Sequence, residues 1–113
     1  MSLSSVKTRD YPEDIIFINT IKVINVAAYN LSADDVGKVL VFQNPCAVTL
    51  TAIDTIVGSQ IDIVNYSSGA ITFAASGTTL NSKAGALSLA TQYTGATMLK
   101  TFDNSWIIIG DLT

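Results

Sequence analysis

A chain of 113 residues, 49% apolar and only 13% charged, has the length of one domain with a modest core of its own. Its formal charge is −3 and its basic residues are scattered from Lys7 to Lys100, which excludes the clustered footprint of a nucleic-acid binder. Ordinary soluble domains are roughly 25% charged, so apolar surface is left to cover; the apolar runs fall well short of the ~20 residues of a membrane-spanning helix, and the expected cover is other copies or another protein.

Residues 1–14, MSLSSVKTRDYPED, are polar and include Pro12, which has no N–H for a ladder. They predict an extended N-terminal arm, followed by a single β-domain over residues 15–113. Lys7, Arg9, Asp10, Glu13 and Asp14 precede an apolar run of only four residues, IIFI, too short for the core of a secretory signal. Maturation in the cytoplasm is therefore expected. Residues 15–18 and 21–28 are rich in Ile and Val, interleaved with Asn19, Thr20, Lys22 and Asn25, and predict strands.

Residues 32–37 predict a corner. Ser32 caps one helical turn through its hydroxyl, Asp34 and Asp35 favour its positive end, and Gly37 stops it. Strands are predicted over residues 38–42, 47–51, 60–64 and 70–75, separated by Gln43-Asn44-Pro45, Val57-Gly58 and Ser67-Ser68-Gly69. In them Val48 and Leu50 alternate with Thr49, Ile61 and Ile63 with Asp62, and Ile71 and Phe73 with Thr72, so each strand has one apolar face. Residues 78–92 read as a loop with one or two short strands. Residues 97–102 and 106–111 form a hairpin about Asp103-Asn104-Ser105, with Trp106 as a core anchor. Strands recurring about every ten residues predict an all-β fold, a single compact antiparallel β-sandwich or barrel with an extended N-terminal arm.

The order of these segments resembles a small β-domain family of tailed-phage virion proteins. The resemblance rests on Leu31, Asp35, Gly37 and Lys38 at the corner; on Val48, Thr49 and Leu50; on Gly58 and Ile61; on Gly69, Ile71, Thr72 and Phe73; and on Trp106, Ile108, Gly110 and Asp111 at the end. It covers most of residues 22–113, and it departs from the family pattern at Thr51-Ala52-Ile53, where a Pro is usual. It implies a structural protein of the virion, assembled in the host cytoplasm and commonly a homotrimer. The expected role is capsid decoration, with the major capsid protein or another virion protein as partner. The alternative is a tail fibre or baseplate module that attaches to the tail or recognises a host-surface glycan or protein through loops such as residues 78–85.

Catalytic chemistry is not expected. The chain has no histidine, so the usual serine and cysteine triads cannot be assembled. Cys46, the single cysteine, has no disulfide partner in the chain and reads as a small buried hydrophobe beside Pro45. The acids Asp10, Glu13 and Asp14, and the pair Asp34-Asp35, lack the spacing of a calcium loop; Asp35, two residues before Gly37, reads as a local backbone acceptor. Neither a metal nor a cofactor is expected. Tyr29, Tyr66, Tyr93 and Trp106 would make a sugar platform if exposed, but read as half-buried strand residues. The partner-binding candidates lie at the N-terminus: Tyr11, Ile15, Ile16, Phe17 and Ile18, within reach of a neighbouring virion protein.

Overall fold

The alternation of apolar and polar residues makes short strands; the architecture depends on where each turn sends the chain next. A computed structural model describes residues 20–113. Strand β1 (Thr20–Ile24) and strand β2 (Ala28–Asn30) are separated by three residues and belong to different sheets. The segment 21–28, predicted as one strand, is therefore two, broken about Asn25. After a single 3-10 turn at Ala33–Asp35, β3 (Lys38–Phe42) returns parallel to β1, and β4 (Cys46–Leu50) returns parallel to β2. The next circuit lays β5 (Gln60–Asn65) on β3 and β6 (Ile71–Ala75) on β4, again parallel. Thr20 lies beside Lys38 and Val39 beside Asp62, so a circuit takes roughly twenty residues, as in short solenoid repeats.

The coil closes differently from how it begins. Strands β7 (Thr79–Asn81) and β8 (Ser88–Leu89) start a shorter circuit, with β8 antiparallel to β6. The hairpin of β9 (Thr94–Phe102) and β10 (Ser105–Gly110) then inserts between β5 and β7. The first sheet has the order β1-β3-β5-β9-β10-β7 and the second β2-β4-β6-β8.

The fold is mostly β, as expected, but both sheets are mixed and the chain winds as a solenoid-like coil. The antiparallel sandwich or barrel read from the sequence is corrected on this point. Period-two alternation requires a covered face for each strand and is silent on which strand lies beside it. A parallel pair needs a crossover, and here the crossover is itself a strand of the opposite sheet.

Rows of inward residues fill the space between the sheets. Leu40, Ile63 and Ala96 form one row of the first sheet and Ile61, Met98 and Ile108 another; Val48, Leu50, Ile71, Phe73 and Leu89 face them from the second. Each fully buried aliphatic or aromatic side chain contributes about 1.5–3 kcal/mol. Trp106 is completely buried, as the sequence predicts.

Among the polar residues buried in this interior, Asn65 and Lys100 hold backbone. Asn65 continues the row of Ile24 and Phe42 and is fully buried. Its amide nitrogen donates to the carbonyls of Gly69, Leu89 and Thr91 at 3.0, 3.0 and 3.2 Å, and its oxygen accepts from the Ser67 N–H at 2.8 Å. Two amide hydrogens shared among three carbonyls tie the end of β5 to the segment between β8 and β9. Lys100, opposite Trp106, is also buried, and its ammonium donates to the carbonyls of Ile53 and Thr55, fixing the loop before β5.

Candidate assembly face

At the β1 end of the described coil lies a polar corner. Lys22 stands in the inward row of Leu40 and Ile63, and its Nζ lies 3.0 Å from Asp35 Oδ1 and 5.5 Å from the centre of the Tyr29 ring. Asp35 is fully buried. It also accepts from the Tyr29 hydroxyl at 2.8 Å and, through Oδ2, from the Ser32 N–H at 3.0 Å. The tyrosine hydroxyl and the Asp35 carboxylate hold the Lys22 ammonium well above the ordinary lysine value, and burial pushes the Tyr29 phenol up. Asp34 is exposed, 3.1 Å from Lys38, which holds its carboxyl below the usual range. Asp35 is the local backbone acceptor the sequence suggests, and it further binds two side chains that sequence proximity does not reveal. Gly37, at φ +81°, ends the turn as predicted, because the left-handed region carries no penalty for glycine.

The outward face of the first sheet has a different character. One of its rows runs Ile21, Val39, Asp62, Thr97, Ile109; a second runs Val23, Val41, Val64, Gly95; a third runs Gln60, Leu99, Ile107, Asn81. Ile21, Val23 and Ile109 are 63%, 53% and 62% exposed, and Val39, Val41, Val64, Leu99 and Ile107 are half-buried. Asp62 is the only charged residue in the three rows, and the Thr97 hydroxyl donates to it at 2.7 Å. Exposed apolar side chains grouped in this way mark an interaction surface.

Beside β10 lies a groove lined by side chains from both faces of that strand. A cavity of about 570 Å³ lies between β10 and the segment after β7, with Ile107, Ile109 and Leu112 on one side and Ser82, Lys83 and Ala84 on the other. Asn81 braces its wall through a 3.4 Å bond from its amide to the Trp106 carbonyl. Residues 78–85, predicted as a loop available for recognition, supply one wall of this groove.

The remaining candidates are distributed as follows. Tyr11, Ile15, Ile16, Phe17 and Ile18 lie outside the described residues, as do Asp10, Glu13 and Asp14. Cys46 is buried, as expected, and burial pushes its thiol up. Among the described residues no three His, Cys, Asp or Glu side chains cluster to hold a metal ion. The reading of Tyr66 and Tyr93 as half-buried strand residues is corrected. They are 52% and 71% exposed and pack edge to face with ring centres 5.4 Å apart, because Tyr66 follows the last residue of β5 and Tyr93 turns into β9 at φ +64°.

The exposed apolar rows were not singled out in the sequence, although a signal for them exists. Segments 21–24 and 38–42, IKVI and KVLVF, are apolar at both parities, and a strand apolar on both faces is a strand covered on both. No family profile matches this chain, and no curated protein matches it.

Proposed function

We propose that the protein is a structural component of a tailed-phage virion, a homotrimeric capsid-decoration protein that binds and braces the head shell. The observation that carries this reading is the apolar outward face of the first sheet. One charged residue in three rows, itself engaged by Thr97, is the composition of a surface meant to be covered by protein. The resemblance to virion β-domains supplies the biological setting, and the residues behind it serve the fold: Leu31, Val48, Leu50, Ile61, Ile71, Phe73, Trp106 and Ile108 are buried and Gly37 stops the corner. Attachment would then depend on what such a core does not encode, namely the arm, with Tyr11 and Ile15 to Ile18 reaching a neighbouring capsid subunit. Association of many weakly held copies with the shell stabilises it by mass action.

The test is co-sedimentation of purified protein with undecorated capsids. Full-length protein is expected to sediment with them, and a chain beginning at Thr20, which lacks Tyr11 and Ile15 to Ile18, is expected to lose binding while keeping its oligomeric state. Binding that survives this truncation removes the arm from the proposal; failure of the full-length chain to bind capsids removes the decoration role.

A second reading, a tail or baseplate module that recognises a host-surface receptor, is favoured by the exposed Tyr66 and Tyr93. Two aromatic rings presented to solvent on the segment fixed by Asn65 suit a saccharide ring. Binding of whole cells or glycans that is lost in Tyr93→Ala, with no binding to capsids, supports this reading over the first.

A further inference from the structure

Two tyrosines stand where the ladder of β5 and β9 runs out. Its last pair is Asn65 with Thr94, so Tyr66 and Tyr93 take the next opposed positions. Large aromatic side chains favour burial, yet these rings are more than half exposed on a backbone that is held at several points. The Tyr66 N–H donates to the Phe42 carbonyl at 2.8 Å and the Tyr93 N–H to the Asn65 carbonyl at 2.7 Å. The Gln92 amide donates to the Tyr66 carbonyl at 3.0 Å, and the Thr91 carbonyl accepts from the Thr94 hydroxyl at 2.7 Å and from Asn65 at 3.2 Å. The rings are thus presented by a preorganised frame, which lowers the cost of binding.

The backbone at Tyr93 points the same way. Its φ of +64° is left-handed, a region natural to glycine, tolerated by asparagine and uncommon for a bulky side chain. Asn104, in the β9–β10 turn at φ +54°, shows the ordinary solution. A tyrosine at such a position costs strain and gains little burial, the combination expected of a residue kept for what it binds. The chemistry around the rings is neutral. Residues 63–82 and 84–99 carry no charged side chain, and the Asp111 carboxylate already accepts the Gly95 N–H at 3.2 Å, so nothing here selects an ion. With ring centres 5.4 Å apart and planes at 86°, each ring keeps a face clear of the other. The C–H face of a pyranose suits such a face, and its hydroxyls need polar partners at the rim. Gln92 uses one N–H on the Tyr66 carbonyl, leaving its oxygen and second N–H for them.

We propose that Tyr93 and Tyr66 form a binding site for a neutral pyranose, with Tyr93 as the stacking platform, Tyr66 as the side wall and Gln92 as the hydrogen-bonding partner. The inference rests on the receptor-binding reading above and gives that site a ligand class. The test is saturation-transfer NMR on the full chain, with methyl α-D-glucopyranoside, methyl β-D-galactopyranoside and methyl N-acetyl-β-D-glucosaminide as probes and N-acetylneuraminic acid as the charged control. At least one neutral probe is expected to bind and the acid is not. Tyr93→Gly is the most telling variant, because glycine keeps the left-handed turn: its urea midpoint is expected to be unchanged or raised, while affinity falls by about tenfold with the loss of the platform. Tyr93→Phe, which keeps the ring, is expected to bind as the native chain does, and Gln92→Ala about threefold more weakly. No binding of any neutral probe, equal binding of the acid, or binding untouched by Tyr93→Gly overturns the site. A lowered urea midpoint in Tyr93→Gly shows that the ring serves the turn, and overturns its assignment to a ligand. Sugar binding that is lost in Tyr93→Gly, without attachment of the native chain to whole cells, supports the site and removes only the receptor role.

Discussion

The two faces of the first sheet are built from the same strands and nearly the same residue types, yet they behave oppositely. Inward, Leu40, Ile63, Met98 and Ile108 are almost completely buried against the second sheet. Outward, Ile21, Val23 and Ile109 stand more than half exposed. Residue type therefore does not distinguish core from surface here; position in the pleat and the presence of an opposing layer do. Inside, Asn65 and Lys100 are placed to hold backbone, and Asp35 holds Lys22 and Tyr29 as well as the Ser32 N–H. The polar Asp62 and Thr97 outside satisfy each other and leave the surrounding face apolar.

Four substitutions or titrations test the comparison, beginning with the largest effect. Trp106→Ala empties the most voluminous fully buried site and is expected to cost about 3–5 kcal/mol, read as a lower midpoint in urea. Asn65→Ala strands the Gly69, Leu89 and Thr91 carbonyls and the Ser67 N–H; at about 1–3 kcal/mol for each buried group left unpaired, a total near 3 kcal/mol is expected once water reaches the outer ones. Hydrogen exchange should show the segment between β8 and β9 loosening before the core. An unchanged exchange pattern there would refute the role assigned to Asn65.

On the outward face, Val23→Thr is expected to move the urea midpoint of the dissociated chain by no more than about 0.5 kcal/mol, the usual range for surface changes, while raising the concentration at which copies associate. A large loss of monomer stability would mean that the face is already covered within the chain. The smallest effect is a pH dependence at the corner. The Asp34 carboxyl is lowered by Lys38, so its contribution is present above the ordinary aspartate value of 3.8 and is lost as the pH falls through its lower folded value. Lys22 is raised above 10.5, so its contribution is full below that pH and fades only as the pH rises through the higher folded value. Stability from this corner is therefore expected to be level through neutrality, with a shallow acid slope that Asp34→Asn removes; a slope that persists in this variant arises elsewhere.

Much of the local structure was legible. The turn at Asp34-Asp35 with Gly37, the buried parities of β4, β5 and β6, the terminal hairpin and the burial of Trp106 each follow from composition within a few residues. Long-range relations were not. Nothing near Lys22 in the chain announces that Asp35 will meet it thirteen residues on, and the apolar doublet Ile21 and Val23 reads the same whether a sheet, a second copy or solvent lies opposite. Tyr66 and Tyr93 were misread for a related reason: an aromatic residue beside a strand is buried or exposed according to where that strand stops, and β5 stops one residue before Tyr66.

The sequence by itself determined that the chain forms short strands with one reliably apolar face, and that it has too few charges to cover a small globule alone, because period-two patterning and composition are local and additive properties. The tertiary structure alone decided that successive strands pass between two sheets and wind into a coil, and that Ile21, Val23 and Ile109 come to share one outward face with half-buried Val39, Val41, Val64, Leu99 and Ile107. Pairing partners and the opposing layer are set by contacts between residues far apart in the chain, and those contacts exist only once the coil has closed.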